Sequence, residues 1–128
     1  SRATVVNYLS YLKEARLINM LYTTEESFPK KPAVVYMHNT NILYPTCLNE
    51  VEPRQLRETF FYNMIHQGNK LNKSNERNVQ FLVNGKDRFR VCDWVVRTKN
   101  NPEYYYAIDN FEVGHDNVIP LWLFGFLY

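Results

Sequence analysis

The residues that could carry catalytic or metal chemistry are few and scattered along this chain. His38, His66 and His115 lie in three different segments without a Cys or a carboxylate at metal-ligand spacing, so the sequence predicts no metal site. Cys47 and Cys92 are far apart and belong to no CxxC motif, which favours reduced thiols over a disulfide framework. Catalysis through these side chains is therefore not expected.

Phosphate-binding loops are also missing from the sequence. The four glycines are Gly68, Gly85, Gly114 and Gly125, and none begins a GKS or GKT sequence. Without a glycine-rich loop to surround phosphates, we expect no bound nucleotide and no other cofactor in this chain.

The composition limits the class of protein. The 128 residues are 45% hydrophobic and 16% aromatic, which excludes a disordered chain. The net charge of +2 neither requires nor forbids binding to nucleic acid. The longest apolar run, Ile119–Tyr128, has about half the length that a membrane crossing needs. We therefore expect a cytoplasmic protein without a membrane partner. Because a helical pattern is already under way at Ser1, we expect a fragment of a longer chain.

The N-terminal half predicts a helix and two short strands. Ser1 is a suitable cap for a helix that ends near Arg16, and apolar residues on a wide arc predict that this helix packs on more than one side. Strands are expected over Leu17–Thr23 and Val34–Met37. The prolines and asparagines of residues 38–53 indicate a loop that joins two lobes.

A second helix and a hairpin follow. The helix is expected from Arg54 to Gly68, with Leu56, Phe60 and Met64 facing inward and Phe61 as a further candidate. The polar residues 69–78 indicate an exposed connection. Asn84-Gly85 predicts a tight turn between strands Val79–Val83 and Arg88–Val96.

The last third predicts a strand and an apolar tail. A strand is expected over Tyr104–Ile108. The tail, LWLFGFLY, is either a closing strand of the core or an exposed aromatic patch that contacts another domain or a second copy. The predicted class is α+β.

Four segments together resemble one known family. They are SRATVVNYLSYLKEARLINMLY, KPAVVYMHNTNILY, LRETFFYNMI and the tail IPLWLFGFLY, in this order and spacing. They are similar to the C-terminal region of a bacterial and archaeal family of AAA-type P-loop ATPases. The resemblance implies a partial winged helix over residues 1–45, then a degenerate restriction-endonuclease-like core of the PD-(D/E)XK type with a mixed β-sheet over residues 46–128. It also implies an upstream ATPase domain that holds ATP and Mg²⁺.

The resemblance further implies that the nuclease positions have lost their chemistry. The first acidic position falls on Gln80, the second on Arg90 and the catalytic lysine on Cys92, so that only the helix glutamate, Glu58, is retained. An arginine would repel Mg²⁺, and we expect Glu58 to pair with Arg90 instead. Asp93 and Asp109 are the acids that could overturn this expectation.

Three functions follow from these expectations. The first is a non-catalytic interaction or regulatory module, whose partners are the upstream ATPase domain, another protein or a second copy. The second is a nucleic-acid-binding module, in which a winged helix would contact DNA through Arg2, Thr4, Asn7 and Lys13. The third is a metal-dependent nuclease.

Overall fold

The computed structural model describes residues 1–28, 30–46, 50–93, 103–110, 112, 114 and 116–126. Its class is α+β, as predicted, with one two-stranded sheet and one five-stranded mixed sheet. The elements in chain order are α1 (Arg2–Glu14), β1 (Ile18–Leu21), β2 (Val34–Met37), α2 (Thr40–Thr46), α3 (Pro53–Ile65), β3 (Leu71–Lys73), β4 (Phe81–Val83), β5 (Asp87–Asp93), β6 (Tyr105–Asp109), β7 (Val118–Pro120) and a 3-10 helix (Leu121–Phe126).

The N-terminal unit is α1 followed by an antiparallel pair of strands. The Ser1 hydroxyl accepts a hydrogen bond from the Thr4 amide and caps α1, as the sequence predicts. β1 and β2 pair along their whole length, with Ile18 opposite Met37 and Leu21 opposite Val34. None of the residues of α1 is buried, so the prediction that this helix packs on more than one side is wrong for the described chain.

α2 lies where the sequence predicts a loop. The Asn39 carboxamide oxygen accepts hydrogen bonds from the Asn41 and Ile42 amides, which starts the helix. Pro45 lies inside α2, near its end. The prediction of a loop took Pro45 as a loop signal and overlooked Asn39 as the N-cap of a helix.

The larger sheet has the strand order β3-β4-β5-β6-β7, and it mixes two kinds of pairing. β3, β4 and β5 are antiparallel, whereas β5, β6 and β7 are parallel. β3 forms inside residues 69–78, which the sequence predicts as an exposed connection, and this prediction is wrong. The Asn72 side chain is buried; its Nδ2 donates to the Tyr22 carbonyl oxygen, while its Oδ1 is buried without a hydrogen-bond partner.

The turn between β4 and β5 is the one that the sequence predicts. Asn84 and Gly85 have φ angles of 55° and 69°, the left-handed conformation that an Asn-Gly pair tolerates, and residues 84–86 separate the paired Val83 and Asp87. The Asn84 carboxamide oxygen also accepts a hydrogen bond from the Lys70 amide, which holds the turn against the start of β3. Residues 94–96 of the predicted second strand lie outside the described residues.

The main core lies between α3 and one face of the larger sheet. Phe61 of α3 is fully buried, and its ring lies 4.8 Å from that of Phe81 and 5.0 Å from that of Phe124. The inward face of α3 therefore centres on Phe61 and Ile65, while the predicted inward residues Leu56, Phe60 and Met64 are only half-buried. Leu21 and Tyr36 of the N-terminal unit belong to the same core, so the two sheets share it.

The described residues of the apolar tail do not form a closing strand, which was one of the two alternatives predicted for it. β7 ends at Pro120, and Leu121–Phe126 form a 3-10 helix. Leu121 and Phe124 are buried in the core, whereas Trp122 and Phe126 are 52% and 75% exposed. Leu121 and Phe124, three residues apart, thus lie on the one side of the 3-10 helix that faces the core. The alternation of Leu and aromatic residues in the sequence did not predict this. Leu127 and Tyr128 lie outside the described residues.

Candidate functional site

The candidate site is a pocket that lies between β2, α3 and the approach to β4. We call it the Glu58 pocket. Its volume is about 480 Å³. Three cationic and two acidic side chains line it together with polar and apolar ones: Val34, Val35, Tyr36, Met37, Glu52, Arg54, Gln55, Glu58, Thr59, Lys73, Arg77 and Gln80. It contains two of the sequence-predicted nuclease positions, Glu58 and Gln80.

Glu58 is the buried acid of this pocket, and both of its oxygen atoms have partners. The Tyr36 hydroxyl donates to Oε1 at 3.0 Å, and Arg54 Nε donates to Oε2 at 3.0 Å. Glu58 and Tyr36 are 7% exposed, while the Arg54 side chain is 75% exposed. The carboxylate therefore joins β2 to α3 on the buried side and meets a solvated cation on the other.

Burial and the Glu58 carboxylate together shift the pKa values of three side chains of the pocket. Burial, and then the negative charge of Glu58, raise the pKa of Tyr36 far above its usual range, which keeps its hydroxyl protonated. The hydrogen bond to Glu58 raises the pKa of Arg54. Burial lowers the pKa of Lys73, and Glu58 partly opposes this effect.

The Gln80 side chain extends the pairing of β4 with β5 and is not free to bind a metal ion. Its carboxamide oxygen accepts from the Val91 amide at 2.9 Å, and its Nε2 donates to the Val91 carbonyl oxygen at 3.2 Å. The side chain thus extends the β4–β5 ladder by one step, with hydrogen bonds like those of a backbone residue. A carboxylate at this position would lose the donor to Val91.

Arg90 and Cys92 lie on the other face of β5, away from Glu58. Phe89 and Val91 pack into the core beneath α3, and alternation along the strand directs Arg90 and Cys92 to the opposite side. Cys92 is buried there in a second, smaller cluster with Tyr106, Ile108 and Val118. The predicted Glu58–Arg90 pair is therefore wrong: the basic partner of Glu58 is Arg54, one helical turn away.

Asp93 and Asp109 are register partners on the parallel strands β5 and β6. By alternation they share the face of Val91 and Ala107, which is the side of α3. Asp109 lines a shallow hollow with Arg57, whose Nε is buried without a hydrogen-bond partner. Neither aspartate lines the Glu58 pocket.

The four candidate nucleic-acid residues of α1 are all exposed, but they are divided between two sides of the helix. At 100° per residue, Arg2 and Lys13 lie close together on the side of Leu9, which is half-buried. Thr4 and Asn7 lie on the side of the exposed Tyr11. A single DNA surface could use one pair or the other, and these contacts stay a prediction.

Tyr36, Arg54 and Lys73 were not predicted as parts of the site. The Arg54–Glu58 spacing of four residues is a sequence signal for a helical ion pair, and it was available. Tyr36 is 22 residues from Glu58, and Lys73 lies in the unpredicted strand β3, so only the tertiary structure brings them to the pocket.

Histidine and cysteine contribute no catalytic arrangement that the structure describes. The His38 and His66 rings are 6.4 Å apart and edge-on, while His115 and Cys47 lie outside the described residues. Within the described ranges, no three His, Cys, Asp or Glu side chains converge to hold a metal ion.

The described helices include none that is long and apolar enough to span a membrane. No family model, curated protein or solved structure matches the chain.

Proposed function

We propose that this chain is a non-catalytic interaction and regulatory module of an AAA-type P-loop ATPase. In this proposal residues 1–45 are a partial winged helix and residues 46–128 a degenerate nuclease-like core, with ATP and Mg²⁺ bound by a separate upstream domain. The sequence resemblance supports the family. The order of α1 and the β1–β2 pair, followed by α3 and a mixed sheet, is compatible with both parts.

The observation that carries the non-catalytic role is the environment of Glu58. Its two oxygen atoms are bound by Tyr36 and Arg54, so the carboxylate is a structural connection between β2 and α3. A divalent cation at Glu58 would lie beside the Arg54 guanidinium. Two like unit charges at 4 Å repel by about 4 kcal/mol at an effective dielectric of 20, and doubling the charge of one doubles this energy.

The regulatory role is tested with the ATPase domain that the resemblance implies, supplied as a separate polypeptide with ATP and Mg²⁺. We expect a saturable change in the steady-state hydrolysis rate when the chain is added, and no hydrolysis by the chain alone. An unchanged rate together with no measurable association would contradict the proposal.

The two alternatives have their own readouts. Plasmid cleavage with Mg²⁺ or Mn²⁺ that disappears in Glu58→Gln would identify a nuclease. Salt-dependent binding of a short DNA duplex that weakens when Arg2 and Lys13 are changed to Gln would identify a nucleic-acid-binding module, since each phosphate contact steepens the salt dependence. We expect neither result from this chain.

A further inference from the structure

An apolar groove runs between α1 and the start of β2. Its volume is about 610 Å³. Val5, Val6 and Leu9 of α1 form one wall, Phe28 contributes from the loop, and residues 32–35 form the other wall. We call it the α1 groove. Val34 and Val35 line both the α1 groove and the Glu58 pocket.

The apolar walls of the α1 groove are exposed in part. Val5, Phe28 and Val35 are 57%, 42% and 41% exposed, and no residue of α1 is buried. Isolated helices of about 12–15 residues are only marginally stable in water, and most helical stability comes from packing of an apolar face. The apolar residues of α1 would supply that packing once a partner lies on them.

The charges around the α1 groove define the chemistry of the partner. Its charged lining residues are Arg2, Lys30 and Lys31, all exposed and all cationic. A neighbouring hollow is lined by Arg2, Ala3, Val6, Asn7 and Lys30, so two of the same cations border it as well. An apolar floor with a basic rim complements a segment that has an apolar stripe and acidic flanks.

We propose that the α1 groove binds an amphipathic helix whose apolar face is flanked by Asp and Glu residues. The inference rests on the proposed interaction role and names the chemistry of the partner. α1 is about 20 Å long at 1.5 Å per residue, so a partner of three to four turns matches it.

The other possible occupants fit less well. A second copy placed by two-fold symmetry would bring the same three cations to the same interface, where they repel each other. Nucleic acid would contact the basic rim and leave Val5, Leu9 and Phe28 facing water, so the apolar floor would remain uncovered.

The test is fluorescence anisotropy with a labelled synthetic peptide of about 16 residues. It has Leu at positions i, i+3, i+4 and i+7 and Glu at most others. Two controls are a peptide with Lys in place of Glu and a scrambled peptide. We expect the acidic amphipathic peptide to bind at least about ten-fold tighter than either control. Equal binding of the acidic and scrambled peptides would overturn the inference.

A second test of the inference uses charge-reversal variants of the chain. Lys31→Glu lies in an exposed, irregular segment and should weaken peptide binding several-fold without changing the circular dichroism spectrum. Lys86→Glu, in the exposed β4–β5 turn, is the matched control and should leave binding unchanged. Equal weakening of peptide binding by both variants would indicate a nonspecific attraction between opposite charges and would overturn the inference. A sedimentation experiment that shows self-association of the chain through the α1 groove would also overturn it.

Failure of this inference is distinguishable from failure of the proposed function. If the peptide does not bind while the chain still changes the ATPase rate, only the α1 groove assignment is lost. If the peptide binds while plasmid cleavage depends on Glu58, the groove stands and the non-catalytic role is lost.

Discussion

Replacing Tyr36 with Phe tests whether the buried hydrogen bond of the Glu58 pocket holds β2 against α3. The substitution removes one hydroxyl and leaves the Glu58 oxygen Oε1 without its donor at 3.0 Å. Both residues are buried, and a hydrogen bond to a charged group contributes about 1.5–3 kcal/mol. For a chain of this size that corresponds to a fall in Tm of about 5–12 °C.

The assay is urea unfolding followed by circular dichroism, with two comparison variants. Arg54→Ala removes a partner whose side chain is 75% exposed, so it should cost only about 0.3–0.5 kcal/mol. Tyr11→Phe changes a tyrosine that is 66% exposed and should be nearly neutral. In a Glu58→Gln background, the loss from Tyr36→Phe should fall to about 1 kcal/mol, since the acceptor is then neutral. The reasoning is refuted if Tyr36→Phe costs no more than Tyr11→Phe, or less than Arg54→Ala.

Three further predictions concern Tyr36, Gln80 and the β4–β5 turn. Because the pKa of Tyr36 is raised, its contribution to stability is complete below the ordinary tyrosine pKa of about 10 and is lost as the pH rises above it, at up to about 1.4 kcal/mol per pH unit. Between pH 8 and pH 11, the free energy of unfolding in urea should therefore fall more for the wild type than for Tyr36→Phe. Equal falls for the two proteins would contradict this. Gln80→Leu leaves the amide and carbonyl of Val91 unpaired and should lower the free energy of unfolding by about 2 kcal/mol, whereas an unchanged urea midpoint would show that water replaces both hydrogen bonds. Gly85→Ala introduces a Cβ at φ +69° and should cost about 1–2 kcal/mol, a result that Lys86→Ala in the same turn should not reproduce.

The sequence predicted those elements whose signals are local. Asn84-Gly85 specifies a turn by the φ angles that these two residues tolerate, and Ser1 caps α1 through its own side chain. β3 was missed because two of its three residues are polar and its hydrogen bonds come from β4 and from Tyr22. Burial of Asn72 depends on partners about 50 residues away, which no local pattern encodes.

The site was predicted in part for the same reason. Glu58 was among the predicted site residues, and its four-residue spacing to Arg54 is a local signal for a helical ion pair that the prediction did not use. Assigning Arg90 instead required a knowledge of which face of β5 it occupies, and Phe89 and Val91 fix that face by packing under α3. The tail shows the same limit: alternating Leu and aromatic residues suit a strand, but Pro120 ends β7 and the 3-10 helix places Leu121 and Phe124 on one side.

The most direct test of the non-catalytic role is calorimetric titration of the chain with Mn²⁺, alongside Glu58→Gln as a matched control. We expect no saturable binding below millimolar Mn²⁺ and the same titration curve for both proteins, because Arg54 lies against the Glu58 carboxylate. Micromolar binding that disappears in Glu58→Gln would contradict the account and make the Glu58 pocket a metal centre.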